Sequence, residues 1–137
     1  MVEFMRKKAV VIGIAGILCV HVLLLVWSAS IHSPTNGEVP ALSAGIYHWQ
    51  EGRFDLFRVN PPLIRMVAAI PVLFCEPKTD WSLNRDRLTN RDEFPVGVEF
   101  IRLNGENSFY YFALARLACI PFSLLGALVC FLLAREL

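Results

Sequence analysis

The sequence lacks the features that stabilise small disulfide-bonded or zinc-binding domains. It has four cysteines among 137 residues, and only Cys75 lies outside two long apolar segments, so the polar region between them cannot form a disulfide of its own. No CxxC pair and no cluster of histidine with cysteine occurs, which argues against a structural zinc site. A net charge of +1 without a basic, aromatic-rich stretch gives no indication of nucleic-acid binding. The sequence identifies no cofactor.

Charge is nearly missing from two long segments. Residues 9–31 contain no charged side chain, and residues 109–133 contain only Arg116. A helix of about 20 apolar residues crosses a bilayer, and neither segment alternates as a strand would. Residues 9–31 exceed the roughly 7–15 apolar residues of a signal peptide, although Ser28-Ala29-Ser30 resembles a weak cleavage site. The sequence therefore predicts an all-α integral membrane protein with uncleaved transmembrane helices at 9–31 and 109–133.

The distribution of basic residues predicts the orientation. The first eight residues carry three basic side chains and one acidic one, whereas residues 32–108 carry eight basic and ten acidic side chains. Short basic flanks stay in the cytoplasm. We therefore expect residues 1–8 and 134–137 in the cytoplasm and the loop 32–108 outside, with the protein in the plasma (inner) membrane.

The loop begins with a helix signal. The sequence from Thr35 to Glu38 fits a capping box, in which Thr35 caps the helix and the Glu38 side chain returns to the cap amide. Apolar residues then recur at helical spacing up to a stop at Gly52. This pattern predicts an amphipathic helix lying on the membrane surface, with the apolar stripe Val39, Leu42, Ile46 and Trp49.

Two further helices are predicted in the loop. Residues 53–60 read as extended chain, after which Asn60 caps a helix with Pro61 at its first position and Pro71 at its end; the apolar face is Leu63, Met66, Val67 and Ile70. Residues 76–93 read as a solvated polar loop. A third amphipathic helix, ended by Asn104-Gly105, carries the face Phe94, Val98 and Ile101.

The predicted lengths allow the loop to fold back on itself. The first loop helix covers about 20 Å at 1.5 Å per residue, and eight extended residues span about 26 Å. The start of the second loop helix can therefore return near Glu38.

Several short blocks in this order resemble a known class of enzymes. They are "SPTNGEVPALSAGIYHWQEGRFD", "NPPLIRMVAAIPVL", and a second apolar helix that opens "FALARL" and closes "LLAREL". From residue 33 to 137 the chain resembles the N-terminal part of GT-C class membrane glycosyltransferases, and it is most similar to dolichyl-phosphate-mannose–protein mannosyltransferases. Those enzymes have many membrane helices, so the resemblance implies a segment of a longer transferase, inactive alone, whose remaining helices would be its partners.

The resemblance implies transfer of a sugar from a polyprenyl-phosphate carrier to an acceptor outside the cytoplasm. The family's acidic pair, usually Asp-Glu, corresponds to Gly37-Glu38, so the catalytic aspartate falls on Gly37 and Glu38 is the remaining candidate acid. A second family block corresponds to Asn60-Pro61-Pro62-Leu63, followed by Arg65. The implied substrate-binding residues are Asn60, Arg65 and Arg116, with membrane lipid and the lipid-linked sugar as ligands.

Each of these residues also has a structural interpretation. Glu38 is either the acid that positions an acceptor or only part of a helix cap. Arg65 either pairs with a lipid phosphate or touches headgroups and water at the interface. Arg116, about 10 Å into its helix, either faces a cavity or partner or snorkels to the surface.

Structural roles are expected for His21 and His48. His21, in the middle of the first apolar segment, is expected to be neutral and hydrogen-bonded rather than a proton relay. His48 and Trp49 are expected to anchor their helix at the interface. The alternative function, from a different class, is a non-catalytic two-span membrane protein that binds or scaffolds a partner through its outer loop.

Overall fold

A computed structural model describes residues 2–85 and 91–136, with side chains from residue 8 onward. Across these residues the regular structure consists of five α-helices, and no strand occurs among them. The helices are α1 (Val2–Ile31), α2 (Glu38–Glu51), α3 (Leu63–Leu73), α4 (Glu93–Asn104) and α5 (Asn107–Glu136).

The first and last helices are the two apolar segments of the sequence. The stretch Lys8–Ile31 of α1 and all of α5 are long and apolar enough to cross a membrane, by length and composition. Over the residues that the structure describes, the prediction of an all-α fold with two such helices is confirmed. Both helices extend beyond the predicted segments, because α1 continues into the basic N-terminus and α5 begins at Asn107.

The chain divides into two compact units, one comprising the residues up to 31 with those from 120 onward, and the other comprising residues 32–119. We call the second the loop unit. Within the first unit, Nε2 of His21 lies 2.8 Å from the Ser123 hydroxyl. A hydrogen bond between membrane helices is worth about 0.6–2 kcal/mol. The expectation that His21 is hydrogen-bonded is confirmed.

Helix α2 is the central helix of the loop unit, buried continuously from Leu42 to His48. Its contacts with α3 and α4 depend on glycine. A Cβ at Gly45 would overlap the carbonyl oxygen of Arg65 in α3, and a Cβ at Gly97 in α4 would lie 2.8 Å from Cγ1 of Val39. Both neighbours therefore approach the α2 backbone closely, and they cover it from two sides.

This packing corrects the prediction that α2 lies on the membrane surface. Leu42 and Ile46 of its apolar stripe belong to the protein core, where they contact α3 and aromatic residues of α4 and α5. Trp49 is half exposed, and its indole N–H donates to the Met66 carbonyl at 2.9 Å. The stripe was correctly identified as apolar, but its partner is protein, since α3 and α4 supply the covering surface.

The predicted faces of α3 and α4 are correct only in part: Met66, Val67, Phe94 and Ile101 are half-buried, and Ile101 packs against the core. On α3, Leu63 and Ile70 are exposed, and the buried residues are Arg65, Ala69 and Val72. On α4, Val98 is 64% exposed, and the buried residues are Glu93, Val96, Gly97 and Phe100. The close approaches at Gly45 and Gly97 set which sides of α3 and α4 face α2, and several large apolar side chains therefore face outward.

Helix boundaries differ from the predictions at the starts more than at the ends. Helix α2 begins at Glu38 after Gly37, without a side-chain cap bond, and ends at Gly52 (φ 65°) as predicted. Helix α3 begins at Leu63, so Asn60 and Pro61 precede it, and Pro71 lies inside it. Proline removes one backbone N–H and clashes with the preceding turn of a helix, and α3 continues only to Leu73, two residues beyond Pro71.

The connections carry more structure than predicted. Residues 56–60 form a turn rather than extended chain. In the predicted solvated loop, Pro77 is buried. The backbone N–H of Lys78 donates to Oδ1 of Asn104 at 2.9 Å, and Nδ2 of Asn104 donates to the Lys78 carbonyl oxygen at 2.8 Å. The expectation of a solvated loop is therefore wrong for this part, while residues 86–90 of it lie outside the described residues.

Candidate functional site in the loop unit

One cavity of the loop unit is lined by all four site residues expected from the sequence. It has a volume of about 400 Å³ and lies between α2, the turn before α3, α3 and the first part of α5. Glu38, Asn60, Arg65 and Arg116 line it together. The return of the second loop helix toward Glu38 is thus confirmed. The other lining residues are Ala41, Leu42, Phe57, Pro61, Ile64, Ala68, Phe112, Ala115 and Cys119.

Glu38 and Arg116 form a bidentate ion pair at the wall of this cavity. Nε of Arg116 donates to Oε1 of Glu38 at 2.8 Å, and Nη2 donates to Oε2 at 2.7 Å. The same guanidinium donates to the carbonyl oxygens of His32 at 2.7 Å and Ser33 at 2.9 Å. Two parallel bonds to one carboxylate are a strong, geometrically specific arrangement. Arg116 therefore fixes the chain that leads into α2.

The Glu38 carboxylate also completes one half of the predicted capping box. Its Oε2 accepts the Thr35 N–H at 2.7 Å, although α2 begins at Glu38 itself. The bonds from Arg116 hold the pKa of Glu38 below its usual value, against the opposing effect of burial, and the Thr35 bonds act in the same direction. Glu38 is consequently ionised at neutral pH and, with a low pKa, is a weak proton acceptor.

Arg65 differs from Arg116 because it forms no ion pair with a carboxylate in the part of the chain that the structure describes. Its side chain is buried, with the residue 5% exposed, and it donates to the carbonyl oxygens of Phe57, at 2.6 Å, and Asn60. No acidic group within residues 2–85 and 91–136 forms an ion pair with it. Burial lowers the pKa of Arg65, with the charge of Glu93 opposing, but an arginine remains protonated at neutral pH. The cavity therefore contains a buried positive charge.

Asn60 reaches the site through its backbone. Its carbonyl oxygen binds Arg65, and the residue lines the cavity. The prediction of Asn60 as a helix cap is wrong because the turn at 56–60 directs carbonyl groups toward the guanidinium instead. Its expected role in substrate binding stays a prediction.

Phe57 is a site residue that the sequence did not reveal. Its φ is 60°, a left-handed conformation that is a genuine outlier for a bulky side chain. This conformation lets Phe57 contact Arg65 twice, through its carbonyl and through its ring, whose centroid lies 4.4 Å from the guanidinium carbon. Strained residues of this kind cluster at ligand sites. No local sequence signal marks Phe57, since a bulky aromatic residue is not one that commonly adopts a positive φ.

Gly37 is the position at which the resemblance implied an aspartate. Its φ is −83°, which any residue adopts, and a Cβ built on it meets nothing within 4 Å. The backbone therefore does not require glycine at this position. An aspartate at this position would meet no steric obstacle from the fold.

A second polar cluster lies at the other end of α2. The Tyr47 hydroxyl donates to both carboxylate oxygens of Asp55, at 3.0 and 3.2 Å, and Asn84 and Arg53 donate to Oδ2, at 3.1 and 2.9 Å. Burial raises the pKa of Asp55, but these hydrogen bonds and the charge of Arg53 outweigh it and lower the pKa overall. The cluster satisfies its own polar groups, so it fixes the segment after α2.

A metal centre has no support in the described part of the chain, where no group of three or more His, Cys, Asp or Glu side chains is arranged to hold a metal ion. The chemistry available at the cavity is instead a buried cation, an ion pair and apolar walls. The chain matches no protein-family model, no curated protein and no solved structure.

Proposed function

We propose that the loop unit binds the phosphate end of a polyprenyl-phosphate-linked sugar, and that the chain is the N-terminal segment of a GT-C type membrane glycosyltransferase. The observation that carries this proposal is Arg65, a buried guanidinium that lines a mostly apolar cavity and forms no ion pair with a carboxylate of residues 2–85 or 91–136. A buried charge is costly unless paired. An anionic ligand with an apolar tail supplies both the missing charge and the apolar contacts.

The charges of the cavity favour an anion. Glu38 is neutralised by Arg116 in their bidentate pair, so Arg65 leaves the lining with a net positive charge. Guanidinium groups match phosphate oxygens in geometry. The remaining walls are aliphatic or aromatic, and they suit isoprene units.

The position of α5 supports entry from a bilayer. Phe112, Ala115 and Cys119 line the cavity and belong to a helix that is long and apolar enough to cross a membrane. With α1 and α5 as membrane spans, the N-terminus in the cytoplasm and the loop unit outside, a carrier lipid reaches the cavity laterally. The sugar then lies outside the cytoplasm, where the family uses it.

The native Cys119 provides the test. In a variant with Cys19, Cys75 and Cys130 replaced by serine, the 137-residue chain in lipid nanodiscs is labelled with a maleimide. Polyprenyl phosphate should slow the labelling of Cys119, and polyprenol, which lacks the phosphate, should not. Arg65→Gln should abolish the protection, whereas Arg102→Gln, which removes a charge from an exposed ion pair with Glu99, should keep it. Equal protection by polyprenol, or full protection in Arg65→Gln, would refute phosphate binding.

The alternative is a non-catalytic membrane protein that binds a partner through this unit. Two observations favour it: the Glu38 carboxylate is fully engaged, and large apolar side chains such as Phe74, 85% exposed, lie on the surface of the loop unit. The two functions are distinguished by whether sugar is transferred. Sugar transfer by a longer form that includes this chain would establish the enzyme, and carrier binding without transfer in every form would establish the binding protein.

A further inference from the structure

The loop unit contains a second cavity with a histidine in its wall. The cavity has a volume of about 410 Å³ and lies beside the segment from Phe54 to Pro62. Phe57, Asn60 and Pro61 line both this cavity and the one that contains Arg65. The two cavities therefore flank the same turn. The lining residues are His48, Phe54, Phe57, Arg58, Val59, Asn60, Pro61 and Pro62.

The buried imidazole of His48 belongs to the wall of this cavity. The residue is 3% exposed, and its Nδ1 lies 2.7 Å from the Arg53 carbonyl oxygen. A carbonyl only accepts, so Nδ1 carries the proton and Nε2 of the neutral ring is an acceptor. Nε2 makes no hydrogen bond within the described residues, and no buried side-chain nitrogen or oxygen among them lacks a partner. Nε2 therefore keeps accessible surface, in a residue that lines the cavity.

The surroundings hold the imidazole in place and keep it neutral. The Phe54 ring lies against it, with centroids 4.8 Å apart. Burial lowers the pKa of His48, and the charge of Arg65 acts in the same direction, while the Arg53 carbonyl and Asp55 oppose. Arg58 lines the same cavity. At neutral pH His48 is thus an unprotonated base with a fixed tautomer, unlike Glu38, whose oxygens are occupied by Arg116 and Thr35.

We infer that this second cavity binds a hydroxyl-bearing acceptor, and that Nε2 of His48 accepts the hydrogen bond of the reacting hydroxyl and then its proton. The transfer step rests on the proposed function. In it, the acceptor oxygen bonds to the anomeric carbon as the bond from that carbon to the carrier phosphate breaks, the hydroxyl proton passes to His48, and polyprenyl phosphate leaves. Water then takes the proton from the imidazolium. The shared turn at Phe57 and Asn60 brings acceptor and carrier cavities side by side.

The test uses the full chain and does not require turnover. Diethyl pyrocarbonate modifies neutral imidazole nitrogens, and mass spectrometry reads the peptide that contains His48. In the folded protein His48 should react, with a midpoint pH below that of N-acetylhistidine, whose pKa is about 6.5. N-acetylthreonine methylamide and methyl mannoside should slow the reaction several-fold, whereas N-acetylalanine methylamide, which lacks the hydroxyl, should not.

His48→Asn is the matched variant, because the asparagine amide nitrogen can still donate to the Arg53 carbonyl while Nε2 is lost. It should keep the fold and the polyprenyl phosphate protection of Cys119. In a longer form that transfers sugar, it should lower the turnover number by 10²–10⁴-fold, about what a general base contributes. It should also remove the pH dependence below neutrality.

Two results would overturn the inference. One is that His48 reacts only in the denatured chain, and the other is that hydroxyl and alanine probes protect it equally. The proposed function is tested separately, by the protection of Cys119 from maleimide labelling. If polyprenyl phosphate does not protect Cys119 while the hydroxyl probes still protect His48, the carrier assignment falls and the hydroxyl site stands.

Discussion

Arg116 binds Glu38 through two hydrogen bonds of 2.8 and 2.7 Å across 78 positions of the chain. The sequence suggested a function for each residue separately, and the fold joins them. Because the guanidinium also holds the carbonyl groups of His32 and Ser33, this contact ties the start of the loop unit to α5. Its loss should loosen the cavity wall.

Replacement of Glu38 tests the strength of this contact. Glu38→Ala removes the acceptors for Arg116 and Thr35, and we expect a loss of about 1.5–3 kcal/mol, the usual contribution of hydrogen bonds to charged groups. Glu38→Gln keeps one acceptor oxygen and should lose about half as much. Thermal unfolding in nanodiscs, followed by tryptophan fluorescence, measures both. If both variants unfold like the parent protein, neither the ion pair nor the cap stabilises the loop unit.

The stability of the loop unit should fall in acid. The folded chain lowers the pKa of Glu38 from 4.5, chiefly through Arg116, so the folded state binds fewer protons than the unfolded state near that pH. Its contribution is present above 4.5 and is lost as the pH falls through the lower, folded value. Asp55, lowered from 3.8, adds a loss at still lower pH. The unfolding temperature should therefore drop as the pH falls below 4.5, and Glu38→Gln should flatten the upper part of this drop.

Gly37→Asp should be tolerated, because the position has an ordinary φ and open space. An aspartate at this N-cap position should leave stability unchanged or raise it by up to about 1 kcal/mol. Within a longer, transferring form, increased sugar transfer would assign the base to this end of α2 and not to His48, about 15 Å away along the helix. A variant that folds but gains no transfer would indicate that the resemblance does not extend to this position.

Gly45→Ala should be harmful, in contrast to Gly37→Asp. Its Cβ would overlap the Arg65 carbonyl, so α2 and α3 must separate, at a cost of about 1–3 kcal/mol or more. The shift should also impair polyprenyl phosphate protection of Cys119, because Arg65 moves with its backbone. Unchanged stability would mean that the close contact between α2 and α3 does not exist.

Orientation is tested by a cysteine at an exposed site of the loop. The natural choice from the sequence, near Asn90, lies outside the described residues, so we select Lys78→Cys, exposed beside Asn104. In a background without native cysteines, it should react with a membrane-impermeant maleimide added to intact cells. Reaction only after the membrane is opened would place the loop in the cytoplasm.

Arg65 and Arg116 also need testing as separate ligands for the carrier. Arg116→Ala should weaken polyprenyl phosphate binding and destabilise the loop unit together, because its guanidinium already holds Glu38 and two carbonyl groups. Arg65→Gln should weaken binding with a smaller effect on unfolding. If the loss of polyprenyl phosphate binding stands in the same proportion to the loss of stability in both variants, binding is lost only through unfolding.

Features that depend on local composition were predictable from the sequence. The two apolar helices followed from their length and lack of charge, and the end of α2 followed from Gly52. The return of the Glu38 carboxylate to Thr35 followed from a local capping pattern. Each of these depends on residues within a few positions of one another.

Features that depend on tertiary contacts were not predictable. The stripes assigned to α3 and α4 contain large apolar residues, yet the contact faces were selected by backbone approach at Gly45 and Gly97. The pairing of Arg116 with Glu38 and the left-handed Phe57 depend on distant partners or on strain that the rest of the fold supports. His48 was assigned to an interface because its cavity is built by a turn whose path the sequence does not reveal.

The two glycine contacts make α2 a rigid spacer of known length. Glu38 begins the helix and His48 lies near its end, and at 1.5 Å per residue the two are about 15 Å apart along the axis. A general base must approach the atom it serves to within about 3 Å, so one small reacting group cannot be reached by both side chains. Events at the ionic end of α2 and at its imidazole end are therefore separate in space. A ligand that touches both must be at least as long as that separation.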